Sequence, residues 1–244
     1  MTDSPVWLIT GASRGIGAAI AREAHAKGCR VAIVARGSAA DALASELGDR
    51  ACAVRTDVSS AQQANSCVEH VLAQFGRIDV VVNNAGVHRG GKVTRLSDEH
   101  WQEVLNVNLT GALNVIRAAT PHLGEGSSII NIGAVVGFRG FPGDVAYASS
   151  KAGLSGMTKA LSIELARKGI TVNLVVPGLV LTEMTSGLTE AAMDTMKQQI
   201  PIGRLGEESD IAGVVYWVAQ SRYMTGAVIP VDGGLLSSFG VVGQ

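Results

Sequence analysis

Aromatic residues are scarce, at 4% of 244 residues, so any core must be filled by aliphatic side chains. The 47% hydrophobic fraction supplies them and argues against long disordered stretches. Three cysteines, Cys29, Cys52 and Cys67, are odd in number and show no CxxC spacing. That suits a reducing compartment better than a disulfide framework and leads us to expect buried thiols. Charged residues make up 17%, with a net charge of −1 and both signs spread along the chain. No basic patch is available to neutralise nucleic-acid phosphates, so we expect no nucleic-acid partner. No stretch approaches about 18 consecutive apolar residues, and residues 1–5 lack a basic region followed by an apolar run. These absences predict a cytoplasmic protein without a membrane span. The five histidines have no metal-ligand spacing and read as mostly surface positions, so no metal is expected.

Short Val- and Ile-rich runs recur at residues 6–10, 30–35, 51–56, 78–82, 127–133, 171–176 and 227–231. Between them lie amphipathic stretches at 16–27, 61–75, 98–119, 147–168 and 209–219, with apolar positions three and four apart. Continuous apolar strands alternating with helices predict an α/β fold, a Rossmann-like doubly wound parallel sheet of seven strands covered on both faces. One domain, 1–244, accommodates this pattern. Ligands of such sheets bind beyond the carboxyl ends of the strands. The least periodic stretch, 179–206, follows the sixth strand and is the candidate substrate lid.

The segment Thr10-Gly11-Ala12-Ser13-Arg14-Gly15-Ile16-Gly17 joins the first strand to the first helix. Its glycines allow a tight turn and close backbone approach to a pyrophosphate, and the helix N-terminus offers unpaired N–H groups. The spacing is GxxxGxG rather than GxGxxG, so its position after a strand carries the inference. A dinucleotide fold that prefers NAD places Asp or Glu at the end of the second strand; here that strand ends on Arg36. Arg36, with Arg14 in the loop, suits a 2′-phosphate and favours NADP(H).

Tyr147 and Lys151 open a predicted helix four residues apart, on one face and one turn from each other. A neighbouring ammonium stabilises phenolate, so the tyrosine pKa is expected to fall toward working pH. Tyr147 is then a general acid for a carbonyl oxygen.

Taken with Asp57, Asn83-Asn84-Ala85-Gly86, Asn108, Pro177-Gly178 with Thr182, and Asp232-Gly233-Gly234, these segments resemble the short-chain dehydrogenase/reductase family over essentially the whole chain. The likeness is to its β-ketoacyl-carrier-protein reductase-like branch. The resemblance implies an NADP(H)-dependent carbonyl reductase or alcohol dehydrogenase in which Tyr147 donates the proton. Lys151 lowers the tyrosine pKa and binds the nicotinamide ribose, and Asn108 holds a relay water. It further implies that Gly11, Ser13, Arg14, Gly15, Ile16 and Gly17 wrap the phosphates and that Asp57 and Val58 meet adenine. Asn84, Ala85 and Gly86 line the middle of the cofactor. Val180 with Thr182 holds its carboxamide, and Pro177 and Gly178 also contact the cofactor. A homotetramer is also implied, with a dimer as the alternative.

One position departs from the family pattern. The catalytic serine is expected thirteen residues before the tyrosine, where this chain has Ala134. We therefore expect impaired turnover, with a catalytically silent nucleotide-binding protein as the alternative reading. A sugar-nucleotide epimerase or dehydratase shares the YxxxK chemistry but uses a larger C-terminal substrate domain than 244 residues supply. Carrier-protein reductases meet their acidic carrier with basic residues; Lys168 matches one such position, but Glu125 occupies the other. Acyl carrier protein is accordingly not the expected partner, and a small carbonyl or alcohol substrate is. Phe138, Phe141, Met184 and Leu188 are candidate pocket walls, Trp101 and Trp217 candidate core residues, and Arg89 and Lys92 solvated loop charges.

Overall fold

The computed structural model describes residues 4–181 and 190–238. In chain order the elements are β1 (Val6–Thr10), α1 (Gly15–Ala26), β2 (Arg30–Ala35), α2 (Ala39–Leu47), β3 (Ala51–Arg55), α3 (Ala61–Phe75) and β4 (Val80–Asn83). They continue with α4 (Asp98–Leu105), α5 (Gly111–Ala119), β5 (Ser128–Ile132), α6 (Val136–Arg139), α7 (Val145–Leu165), β6 (Thr171–Pro177), α8 (Glu190–Gln198), α9 (Glu208–Gln220) and β7 (Val228–Val231). The strands form one parallel sheet in the order β3-β2-β1-β4-β5-β6-β7. The expected doubly wound sheet of seven strands is thus present.

Alternation along each strand sorts side chains into two cores. Val6 and Leu8 of β1 join α3, α5 and the end of α7 on one face, whereas Trp7 and Ile9 join α1, α2 and α9 on the other. Both faces being covered explains why β1, β5 and β6 are buried along their whole length. A third apolar cluster at the β6 side includes Leu154, Leu174, Val176, Ile200 and Leu205.

The winding direction reverses between β1 and β4, which are hydrogen-bonded neighbours with Ile9 opposite Val82. A reversal of this kind opens a crevice beyond the carboxyl ends of the strands. Helix α1 begins there, with Arg14 as its N-cap and no side-chain cap. Its first N–H groups are left for a ligand.

Several expectations need correction. The stretch 98–119 is helical throughout, as expected, but a wide π-turn at Asn106–Thr110 interrupts its α-helical winding and divides it into α4 and α5. Helix α2 was not anticipated, because its alanine-rich sequence buries only Ala40 and Leu43. Trp217 is 58% exposed on the outer face of α9, since Val215, Val218 and Ala219 already fill the inner face; Trp7 is the buried tryptophan. Of the candidate lid, 182–189 lies outside the described residues, and with it Thr182, Met184 and Leu188. Its flanks are tied down: Gly206 N–H donates to Leu179 O and Leu181 N–H to Gly206 O, at 2.8 and 2.9 Å.

Candidate active site

The glycine loop is shaped by contacts that leave no room for side chains. Gly11 and Gly15 have φ of 63° and 60°, in the left-handed region that favours glycine. A Cβ on Gly11 would stand 2.7 Å from Ala85 Cα; one on Gly17 would meet Asn84 Nδ2 at 2.5 Å and Ala12 Cα at 2.9 Å, as well as the Gly11 carbonyl. The loop therefore rests on the segment that follows β4. Asn84 Nδ2 donates to Thr10 O and Gly11 O at 3.0 Å each, and Thr10 Oγ1 accepts from Asn84 N and Ala85 N. Asn84 thus acts as a brace beneath the loop as well as a candidate cofactor contact. Ser13 and Ile16 are half-buried in the loop, and Arg14 is exposed. At the neighbouring strand end Arg36 is exposed too.

After β3, Asp57 Oδ1 accepts from Ser59 N and Ser59 Oγ, and Ser60 caps α3 through Gln63 N. Val58 is buried, and its carbonyl accepts from Asn114 Nδ2 at 3.0 Å. Asn114, which had not been singled out, fixes the backbone of the candidate adenine site from α5. On the far side of the crevice, Gly178 lies so close to Asp232 that a Cβ would be 2.6 Å from its Cα. Val135 N–H donates to Pro177 O, tying the loop after β5 to the end of β6. Val180 is buried beside Gly206.

The reactive groups converge on Gly86. A Cβ there would stand 3.4 Å from Asn108 Oδ1 and 3.7 Å from Lys151 Nζ. Asn108 is buried inside the π-turn, where it grips the loop after β4 on both sides: Oδ1 accepts from Val87 N at 2.8 Å and Nδ2 donates to Val87 O at 3.0 Å. The same Nδ2 lies 3.1 Å from Ser150 Oγ, which donates to Tyr147 O. A π-turn adds a residue to a helical turn and re-aims a side chain, which is what Asn108 requires here. Lys151 Nζ is 5.6 Å from the Tyr147 ring centroid and donates to Ile132 O at 2.8 Å. Ala134 follows Ile132 by two residues and is half-buried. Its segment is pressed on α7, for a Cβ on Gly137 would lie 2.8 Å from Ala152 N.

The expected fall in the Tyr147 pKa is not what the structure gives. Burial first, and the Asp144 carboxylate second, push the phenol up to about 12. Burial also drives Lys151 down to about 8, which weakens the cation meant to stabilise phenolate. Both groups are desolvated, so the charged form of each is disfavoured relative to water, although Lys151 still carries its proton below pH 8. The histidine reading also changes: His88 Nε2 is 2.8 Å from Asp144 Oδ1, and its ring packs edge-on to Tyr147 at 5.1 Å. Phe138 and Phe141 are 44% and 60% exposed near the start of α7. Arg89 pairs with Glu103 at 2.8 Å. Glu125 and Lys168 precede β5 and β6, at the amino-terminal ends of these strands, whereas Tyr147 lies beyond the carboxyl end of β5.

Fold and site together define a doubly wound dinucleotide-type enzyme whose crevice carries an Asn–Tyr–Lys constellation. The family profile described as Enoyl-(Acyl carrier protein) reductase matches residues 11–236. The chain belongs to the short-chain dehydrogenase/reductase family and is an oxidoreductase of that class. It is 40% identical over 237 residues to the 3-oxoacyl-[acyl-carrier-protein] reductase FabG of Staphylococcus aureus, covering 93% of this chain and 96% of that one. An uncharacterized oxidoreductase of Methylorubrum extorquens is 41% identical over 243 residues, covering 96% and 98%. Among solved structures, a short-chain dehydrogenase/reductase (glucose/ribitol dehydrogenase) from Brucella melitensis aligns with a TM-score of 0.92, 36% identity and coverage of 95% and 96%. A blue fluorescent protein from a metagenomic library, in complex with NADPH, aligns at 0.90 with 36% identity, covering 95% and 97%.

Proposed function

We propose that this chain is an NADP(H)-dependent carbonyl reductase, reversibly an alcohol dehydrogenase, acting on a small ketone or secondary alcohol. The observation that carries the reading is the convergence of Asn108, Lys151 and the loop at Gly86, with Tyr147 one turn from Lys151, in the crevice that the glycine loop opens on. The relatives named 3-oxoacyl-carrier-protein reductases and the neighbour holding NADPH support it.

The cradle fits a dinucleotide. The turn around Gly11, Ser13, Gly15 and Gly17 and the uncapped start of α1 would hold the phosphates, with Arg14 and Arg36 facing a 2′-phosphate. Asp57 and Val58 would meet adenine, Asn84 to Gly86 the middle, and Val180 with Thr182 the carboxamide, with Pro177 and Gly178 also in contact with the cofactor. When bound, the nicotinamide supplies the hydride. Tyr147, held protonated by its surroundings, donates its proton to the carbonyl oxygen as that atom gains charge. Lys151 anchors the ribose, and Asn108 fixes the loop that faces the site. Ala134 offers no hydroxyl to the developing oxyanion, and we propose that turnover is low for that reason.

The chain is further proposed to form a homotetramer through the outer faces of α4, α5 and α7, where Ile163 is 80% exposed. A carrier-bound substrate is disfavoured by Glu125, a like charge toward an acidic carrier.

The test is NADPH oxidation against ketones, β-ketoesters and β-ketoacyl thioesters, free and carrier-bound, with the parent chain and Ala134→Ser. Reduction of at least one substrate by the serine variant supports the reading. Tight NADPH binding with both forms inert favours the silent nucleotide-binding alternative, and a strong preference for carrier-bound thioesters overturns the exclusion of the carrier.

A further inference from the structure

His88 and Asp144 are a pair that neither the phosphate cradle nor the proton transfer above uses. They come from different loops. His88 follows β4, and Asp144 is the N-cap of α7, one turn ahead of Tyr147. The loops are locked together by Gly91 N–H donating to Gly143 O at 2.8 Å. Behind His88 the Asn108 side chain clamps both backbone groups of Val87. In front, a Cβ on Gly90 would meet the imidazole Cε1 at 3.1 Å, so the missing side chain is what lets the ring sit against this loop. Asp144 is anchored by its carbonyl, which accepts from Ala148 N at 2.7 Å.

Within this frame the imidazole Nε2 meets the Asp144 carboxylate at 2.8 Å, with both side chains partly sheltered at 35% and 16% exposure. The ring stands perpendicular to Tyr147, 85° between planes and 5.1 Å between centroids. Edge-to-face contact of this kind is a favoured aromatic geometry and holds both rings. A carboxylate that accepts from an imidazole N–H fixes the tautomer and orientation of that ring, the arrangement by which many catalytic sites steady a proton-handling group.

We propose that His88 and Asp144 form a positioning pair for Tyr147. The imidazole braces the tyrosine ring and, by donating Nε2–H to Asp144, draws that carboxylate's charge away from the phenol. The charged or titratable groups around the phenol are Asp144 and Lys151 on α7 and its cap, and His88 from the β4 loop; Arg89, the next residue, is committed to Glu103. Because Ala134 offers no hydroxyl, Tyr147 depends more on this second support. The inference rests on Tyr147 being the proton donor, as the proposed oxidoreductase function requires.

The experiment uses the full chain, with His88→Phe, His88→Gln, Asp144→Asn and the Phe/Asn double variant. NADPH-dependent kcat is expected to fall about tenfold in His88→Phe, while the KM for NADPH stays put. Glutamine can still donate to Asp144, so His88→Gln is expected to recover most of the loss. The double variant should show non-additive losses.

A second readout does not need turnover: ¹³Cζ-tyrosine NMR follows phenol ionisation, with Tyr147→Phe assigning one of the three tyrosine signals. Asp144→Asn removes a carboxylate that holds the phenol protonated, so its midpoint should drop by at least about half a pH unit. If the Tyr147 midpoint is unmoved in Asp144→Asn, or if the losses in the double variant are simply additive, the pair is structural and the proposal is overturned. Should no form reduce any substrate, the carbonyl-reductase reading falls, and the NMR titration still decides whether the pair acts on Tyr147.

Discussion

Replacing Lys151 by methionine isolates the energetic cost of the buried ammonium. Lys151 is 4% exposed and its pKa is driven by burial from an ordinary 10.5 to about 8. A drop of that size corresponds to roughly 3 kcal/mol of disfavour for the charged form in the folded state. Below pH 8 both folded and unfolded chains carry the proton, and the folded state bears the full penalty. Between about 8 and 10.5 the unfolded state binds more protons, so stability rises with pH, by at most about 1.4 kcal/mol per pH unit. Three raised cysteines and Tyr147 work in the opposite sense above their ordinary values, because the unfolded chain ionises first. The difference between parent and variant cancels those groups. Lys151→Met also loses the hydrogen bond to Ile132 O, worth roughly 1.5–3 kcal/mol when one partner is charged. At pH 7 the two effects nearly cancel, and the variant should match or slightly exceed the parent. From pH 8 to 10 the parent should gain on the variant. Urea denaturation at half-unit pH steps measures it. Parallel stability curves for the two proteins across that window would refute a depressed Lys151.

Ala134→Ser should restore a donor to the reacting oxygen and raise turnover at least about tenfold, with NADPH affinity unchanged; steady-state kinetics and fluorescence titration read the two quantities separately. Arg36→Asp should weaken NADPH while sparing or improving NADH, and an unmodified chain that binds NADH more tightly would contradict the assignment of Arg36. Gly17→Ala should both destabilise the fold and abolish cofactor binding, since the added methyl would stand 2.5 Å from Asn84 Nδ2 and 2.9 Å from Ala12 Cα. The cost is expected in the overpacking range of about 1–3 kcal/mol, read by thermal melting and dye-free calorimetry.

The alternation of aliphatic runs with amphipathic stretches was enough to determine the doubly wound parallel sheet. Strand burial on both faces imprints directly on composition, and β1, β2 and α3 fall on the very residues the pattern marks. The glycine loop and the Tyr147–Lys151 pair were likewise legible, because both depend on spacing within one segment. Tertiary structure alone decided what depends on segments far apart in sequence. The π-turn at Asn108 has no periodic signature, being held in place by the Val87 backbone and Ser150. Trp217 looks like core on a helical wheel, but the inner face of α9 was already full. The direction of the Tyr147 shift was misjudged because spacing reports a neighbouring charge and is blind to desolvation, which raises the phenol and depresses Lys151 here. His88, 56 positions before Asp144, became part of the site only when the loops after β4 and before α7 were brought against each other.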